Sequence, residues 1–147
     1  MINWSAMKQQ NNSERQYMGT KRIPVADYSI KLETNYESIN GLTELVYKKN
    51  RKFAYILAKF FVDMEANIRE VRTVLKDGGH YVVVIGNNKV AGVPINSHEI
   101  MVEIGIRNGF ELDNMFAYKI RNRYMRFPRK GRGGLITEDW VIDLRKI

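Results

Sequence analysis

The sequence predicts an α/β fold on three observations. Apolar residues recur at three- and four-residue steps over 53–75, and a four-residue β-branched run occupies 82–85. Two later segments, on the far side of a second helical stretch, have the composition of strands. With 147 residues, 44% of them hydrophobic and 11% aromatic, the chain has the length and apolar content of one domain around one core.

The first 49 residues read as an irregular segment. Gln9, Gln10, Asn11, Asn12 and Ser13 form a polar stretch, and the apolar residues from Ile23 to Val46 keep no steady period, so only a short helix over 42–47 is expected. A partial α/β domain is expected over 50–147. In it Phe53, Ile56, Leu57, Phe60, Met64, Ile68, Val71, Val74 and Leu75 mark one buried helical face, with Lys59, Asp63, Glu65, Arg69, Glu70 and Arg72 opposite. Gly78 and Gly79 can take the positive φ that ends such a helix. The run over 80–85, with Val82, Val83, Val84 and Ile85, is too short for a helix and too uniformly apolar for a half-exposed strand. It reads as a central strand buried on both faces.

A second helix begins near Asn96, which stands three residues before Glu99 at capping-box spacing. Ile100, Met101 and Ile104 supply its apolar stripe and Gly109 its end. Strands follow over 110–120 and 139–144, the latter alternating Trp140, Ile142 and Leu144, with a basic stretch over 121–134 between them. The first crossover is expected to be right-handed and to join parallel strands.

Composition excludes several chemistries. There is no cysteine, so disulfides, thiolate metal sites and a cysteine nucleophile are all ruled out. No GxxxxGK[ST] loop occurs, no GxGxxG opens a helix after a strand, and Gly86 and Gly92 have the wrong spacing for one. The two histidines read as a strand-edge residue, His80, and a first-turn helix residue, His98, and no metal site is expected. Asp63, Glu65, Glu99 and Glu103 read as solvated helix faces. No apolar run approaches the roughly 20 residues that span a bilayer, and the polar opening over 1–21 lacks a secretory signal, so a cytoplasmic protein is expected.

Two features stand out. Gly86, Asn87 and Asn88 form a small polar cluster at the carboxyl end of the apolar strand, where ligands bind in open α/β sheets, although Gly-Asn-Asn is also ordinary turn chemistry. The second feature is a run of seven cations: Lys119, Arg121, Arg123, Arg126, Arg129, Lys130 and Arg132. No carboxylate intervenes, and Tyr118, Tyr124 and Phe127 are interleaved. In a chain of net charge +8 this pattern points to nucleic acid, with cations for phosphates and rings for bases.

The succession FVDMEANIREVRTVLKDGGHYVVVIGNNKVAGVPINSHEIMVEIGIRNGFEL, then YKIRNRYMRFPRKGRGG and the closing WVIDLRKI, resembles the carboxyl-terminal half of S-adenosylmethionine-dependent DNA methyltransferases. These act on an exocyclic amino group of adenine or cytosine. The resemblance covers 53–147, and INWSAMK at the start is similar to the stretch after that family's catalytic tetrapeptide. It implies the carboxyl-terminal part of a class I, Rossmann-like sheet, with helices on its faces and a terminal antiparallel strand pair. It implies DNA and the methyl donor as partners, Asn87 and Asn88 near the donor, and Arg121, Asn122 and Arg123 bordering the base pocket. Arg126, Arg129, Lys130 and Arg132 would then meet phosphates.

The family's glycine-rich donor-binding turn is absent. So is its tetrapeptide of Asp, Asn or Ser followed by Pro-Pro and an aromatic, since Pro24, Pro94 and Pro128 are the only prolines and none adjoins another. No catalytic residue is therefore assigned. The resemblance implies completion by a separate amino-terminal half, or self-association. The same pocket and loop would also serve an RNA methyltransferase part or a non-catalytic nucleic-acid-binding remnant.

Overall fold

The computed structural model describes residues 17–121 and 136–147. The chain divides into two compact units between Asp63 and Met64, inside a helix, so the division falls further along than the boundary at residue 50 read from composition.

In the first unit a four-residue helix α1 (Val25–Tyr28) precedes α2 (Glu37–Tyr47). The segment expected to be irregular thus carries a helix that starts five residues before the expected 42. Its start is set by side chains that periodicity does not register. Asn40 accepts a hydrogen bond from the Thr34 N–H and donates its own amide to the Thr34 carbonyl, each at 2.8 Å, which pins the incoming chain to the first turn. Tyr36, Ile39, Thr43 and Val46 are buried. Helix α3 (Arg51–Val74) follows after a short turn. Asn50 caps it by accepting the Phe53 N–H at 3.0 Å.

The length of α3 agrees with the 3.6-residue period, but the buried face is displaced from the one expected. Ala54, Leu57, Ala58, Phe61 and Ile68 are buried, whereas Val74 is 82% exposed. The two alanines are weak hydrophobic signals in a sequence, yet their small size lets a neighbouring element approach closely.

In the second unit Gly78 (φ +74°) turns the chain out of α3 and is tied to the last strand, its N–H bonding Lys146 O at 2.8 Å. Strand β1 (His80–Gly86) leads to a small hairpin of β2 (Asn88–Val90) and β3 (Val93–Ile95). Ala91 and Gly92 at its tip both have positive φ, the twist that two-residue hairpins require. Helix α4 (Ser97–Arg107) then crosses to β4 (Phe110–Lys119), and β5 (Glu138–Lys146) closes the chain. The capping box does not form. β3 ends directly before Asn96, whose ψ is 69°, and its side chain bonds Glu99 at 3.4 Å instead of the helix backbone.

The three long strands form one sheet in the order β1-β5-β4, with β5 antiparallel to both neighbours. β1 and β4 therefore run in the same direction, as the crossover through α4 implies, but β5 occupies the place between them. This is a mixed α/β architecture with a small antiparallel sheet. Val83, Ile142, Leu144 and Phe110 form its buried face together with Ile100, Met101 and Ile104 of α4. The helix lies close enough that a Cβ on Gly105 would stand 2.6 Å from Leu144 Cδ1.

The expectation of a central strand buried on both faces is corrected. β1 lies at an edge of the sheet, and Val82 and Val84 are 54% and 57% exposed. They share the outer face with Phe116, since Val84 and Phe116 both pair with Val141, and Phe116 is 52% exposed. Among the described residues, no helix is long and apolar enough to cross a membrane.

Candidate functional site

The carboxyl end of β1 gathers the residues best placed for chemistry. Gly86 pairs with Asp139 of β5, and Asp139 pairs with Tyr118 of β4, so the three stand in one row across the sheet. The row is tight. A Cβ on Gly86 would lie 2.6 Å from Ile136 Cγ2 and 3.1 Å from Asp139 Oδ1. The Tyr118 hydroxyl donates to Asp139 Oδ2 at 3.1 Å, and this bond to a carboxylate raises the phenol's pKa above its ordinary value.

Asn87 is half-buried beside this row, and its Oδ1 lies 2.9 Å from His98 Nδ1. An amide oxygen only accepts, so His98 carries its proton on Nδ1. That bond holds the Asn87 carboxamide in one orientation with its amino group turned away from the imidazole. His98 itself is buried and stacked on Trp140, with ring centroids 3.9 Å apart and planes 9° from parallel. Burial lowers its pKa, outweighing Glu99, whose carboxylate stands 3.9 Å from Nε2. His98 is therefore a neutral imidazole at neutral pH.

A stability effect follows from the sign of that shift. In the unfolded chain His98 takes up its proton near pH ~6.5, while in the folded chain it does so only at lower pH. Over the interval between, the unfolded state binds more protons and stability falls as pH falls. His98→Gln should remove this component from urea unfolding measured between pH about 7.5 and 5. An undiminished pH dependence in the variant would show that other groups cause it.

The expected site residues divide into three groups. Asn87 lies within the cluster. Asn88 is an exposed residue of β2 whose side-chain oxygen accepts the Lys89 N–H at 2.7 Å. Arg121 is exposed one residue beyond Ile120, whose N–H bonds Thr137 O at 3.0 Å. The described residues that flank the basic segment, Ile120 and Thr137, thus stand side by side next to the Gly86, Asp139 and Tyr118 row. Asn122, Arg123, Arg126, Arg129, Lys130 and Arg132 lie outside the described residues.

His98 and Trp140 went unrecognised as site residues. In the sequence one reads as an ordinary helix position and the other as strand patterning, and no spacing relates residues 87, 98 and 140. At the other end of the sheet, His80 Nδ1 lies 2.9 Å from Asp143 Oδ1, and Asp113 sits at the register shift of β4. Each of the three offers one ligand atom within 4.8 Å of the others. Arg145 Nε stands 3.6 Å from Asp113 and its Nη2 pairs with Glu111, so a cation of the chain already serves one carboxylate of the three and its neighbour.

Compared with models of protein families, with curated proteins and with solved structures, the chain matches none.

Proposed function

We propose that this chain is the carboxyl-terminal half of an S-adenosylmethionine-dependent DNA methyltransferase that modifies a base amino group, and that a separate amino-terminal half completes it. The observation that carries this reading is β1. It is an uncharged strand with apolar residues on both faces, among the described residues it has no second neighbour, and it ends in the oriented Asn87 amide. A strand of that composition is matched to the interior of a larger sheet. The terminal antiparallel pair that the resemblance implies has its counterpart in β4 and β5.

Methylating a base amino group requires the base to leave its stack and be held in a pocket while the backbone is gripped. Asn87 fits the donor side of such a pocket. It is half-buried, and among the described residues its amino group has no hydrogen-bond partner while its oxygen is held by His98. Asn88 fits less well, because its oxygen is engaged by the Lys89 N–H. S-adenosylmethionine would supply the transferable methyl group. The residues of this chain would orient the base, contact the donor through Asn87 and bind phosphates through the basic segment that starts at Arg121. The groups that hold the donor's carboxylate and ribose, and the catalytic tetrapeptide, belong to the other half.

The test is reconstitution. This chain is mixed with a chain carrying the glycine-rich turn and the Pro-Pro tetrapeptide, and methyl transfer to duplex DNA is followed with a labelled donor. Transfer is expected from the mixture and from neither chain alone, and Asn87→Ala should depress it. Micromolar affinity of the isolated chain for the donor, or no transfer by any such mixture, would overturn the proposal. Transfer to RNA in place of DNA would move it to the other polymer.

A further inference from the structure

A second cluster of cations lies outside this site. Lys48, Lys49, Arg51 and Lys52 place four cations in five residues at the turn between α2 and α3. Three of them are exposed and Lys52 is half-buried. No carboxylate among the described residues forms an ion pair with any of the four. Glu44 senses Lys48, but its carboxyl is held below the ordinary range chiefly by its hydrogen bond to Lys31.

Helix electrostatics account for only half of this cluster. Lys48 and Lys49 follow the end of α2, where cations are favourable. Arg51 and Lys52 open the 24-residue α3, whose first turn contains no acidic residue, and there the helix dipole disfavours cations. A placement that works against its own helix needs a compensating partner. The local geometry supplies a surface for one. The Arg51 guanidinium lies over the Tyr47 ring, 5.4 Å from its centroid, and Tyr55 lines the same shallow hollow. The planar fork is thereby braced beside two phenolic side chains, an arrangement suited to phosphate oxygens.

We propose that this turn is a phosphate-binding surface for duplex nucleic acid, distinct from the basic segment between β4 and β5. A lipid surface fits less well, because interfacial binding needs an apolar helix face and Leu45 is the only exposed large apolar side chain of α2. The proposal is independent of methyl transfer, so it can stand or fall separately from the function proposed above.

The test uses the whole chain and a fluorescent duplex DNA of unrelated sequence, with anisotropy followed across roughly 50 to 200 mM salt. Arg51→Gln with Lys52→Gln should shallow the slope of log affinity against log salt by about 1.8 and weaken binding by roughly 60-fold at 0.1 M, two contacts at ~0.9 each. Lys76→Gln with Lys89→Gln makes the same change in net charge at two exposed positions of the second unit, and should leave the slope unaltered. The first pair should also leave the melting temperature close to that of the parent chain, since relief of the dipole conflict offsets loss of the Tyr47 contact.

Equal losses from both pairs would reduce the effect to net charge and overturn the proposal. Unaltered DNA binding in the first pair would overturn it, as would a lowered melting temperature accompanying weaker binding. If the first pair lost binding to phosphatidylserine vesicles while its DNA binding stayed intact, the surface would belong to membranes, which would also overturn it.

Discussion

Replacing Arg126, Arg129 and Arg132 together by alanine is expected to weaken binding to every duplex sequence alike, by about 500-fold at 0.1 M salt. The magnitude comes from counterion release. If four of the seven cations in 119–132 meet phosphates, that segment contributes roughly −3.6 to the salt slope, and removing three contacts should shallow it by about 2.7. Ile120 and Thr137, which flank the segment, are hydrogen-bonded beside the Gly86 row. Asn87→Ala or Asn122→Ala should leave the slope as it is, because neither residue carries charge. A triple variant that keeps both its affinity and its slope would show that this segment is not the nucleic-acid surface.

Phe110→Ala should cost about 3–5 kcal/mol in urea unfolding, a large share of the roughly 5–15 kcal/mol by which domains of this kind are stable. Phe110 is 1% exposed at the start of β4, directly after Gly109 (φ +83°), and its ring faces that of Tyr81 at 6.4 Å. Removing it opens a cavity in the sheet's buried face. Val82→Thr and Val84→Thr, on the open face, should each change stability by no more than about 0.5 kcal/mol. A cost at Val82 or Val84 comparable to that at Phe110 would mean that the outer face is covered in solution by a second copy of the chain, and sedimentation would then show a dimer.

The long helix was legible because its period runs through twenty-four residues, and Gly78 and Gly109 marked turns since each needs a positive φ that side chains resist. The three long strands were legible from β-branched density and alternation, whereas the short hairpin of β2 and β3 was not. An apolar run does not fix what surrounds a strand. Val82, Val83, Val84 and Ile85 state that both faces of a strand are apolar, but not that this chain supplies the cover for both. In α2, composition hid the helix because its start depends on Asn40 reaching back to Thr34, a polar contact invisible to hydrophobic periodicity.

The sequence by itself determined the long helix, the three long strands, the basic character of the chain and the absence of cysteine chemistry, of a phosphate loop and of a Pro-Pro tetrapeptide, all of which depend on residue identity or on near neighbours. Only the tertiary structure decided that β5 enters between β1 and β4, that β1 ends as an edge, and that Asn87, His98 and Trp140 meet. Those outcomes depend on strand pairings between residues dozens of positions apart, such as Val83 with Ile142. Local propensity is blind to such pairings because it is set within a turn or two of each residue.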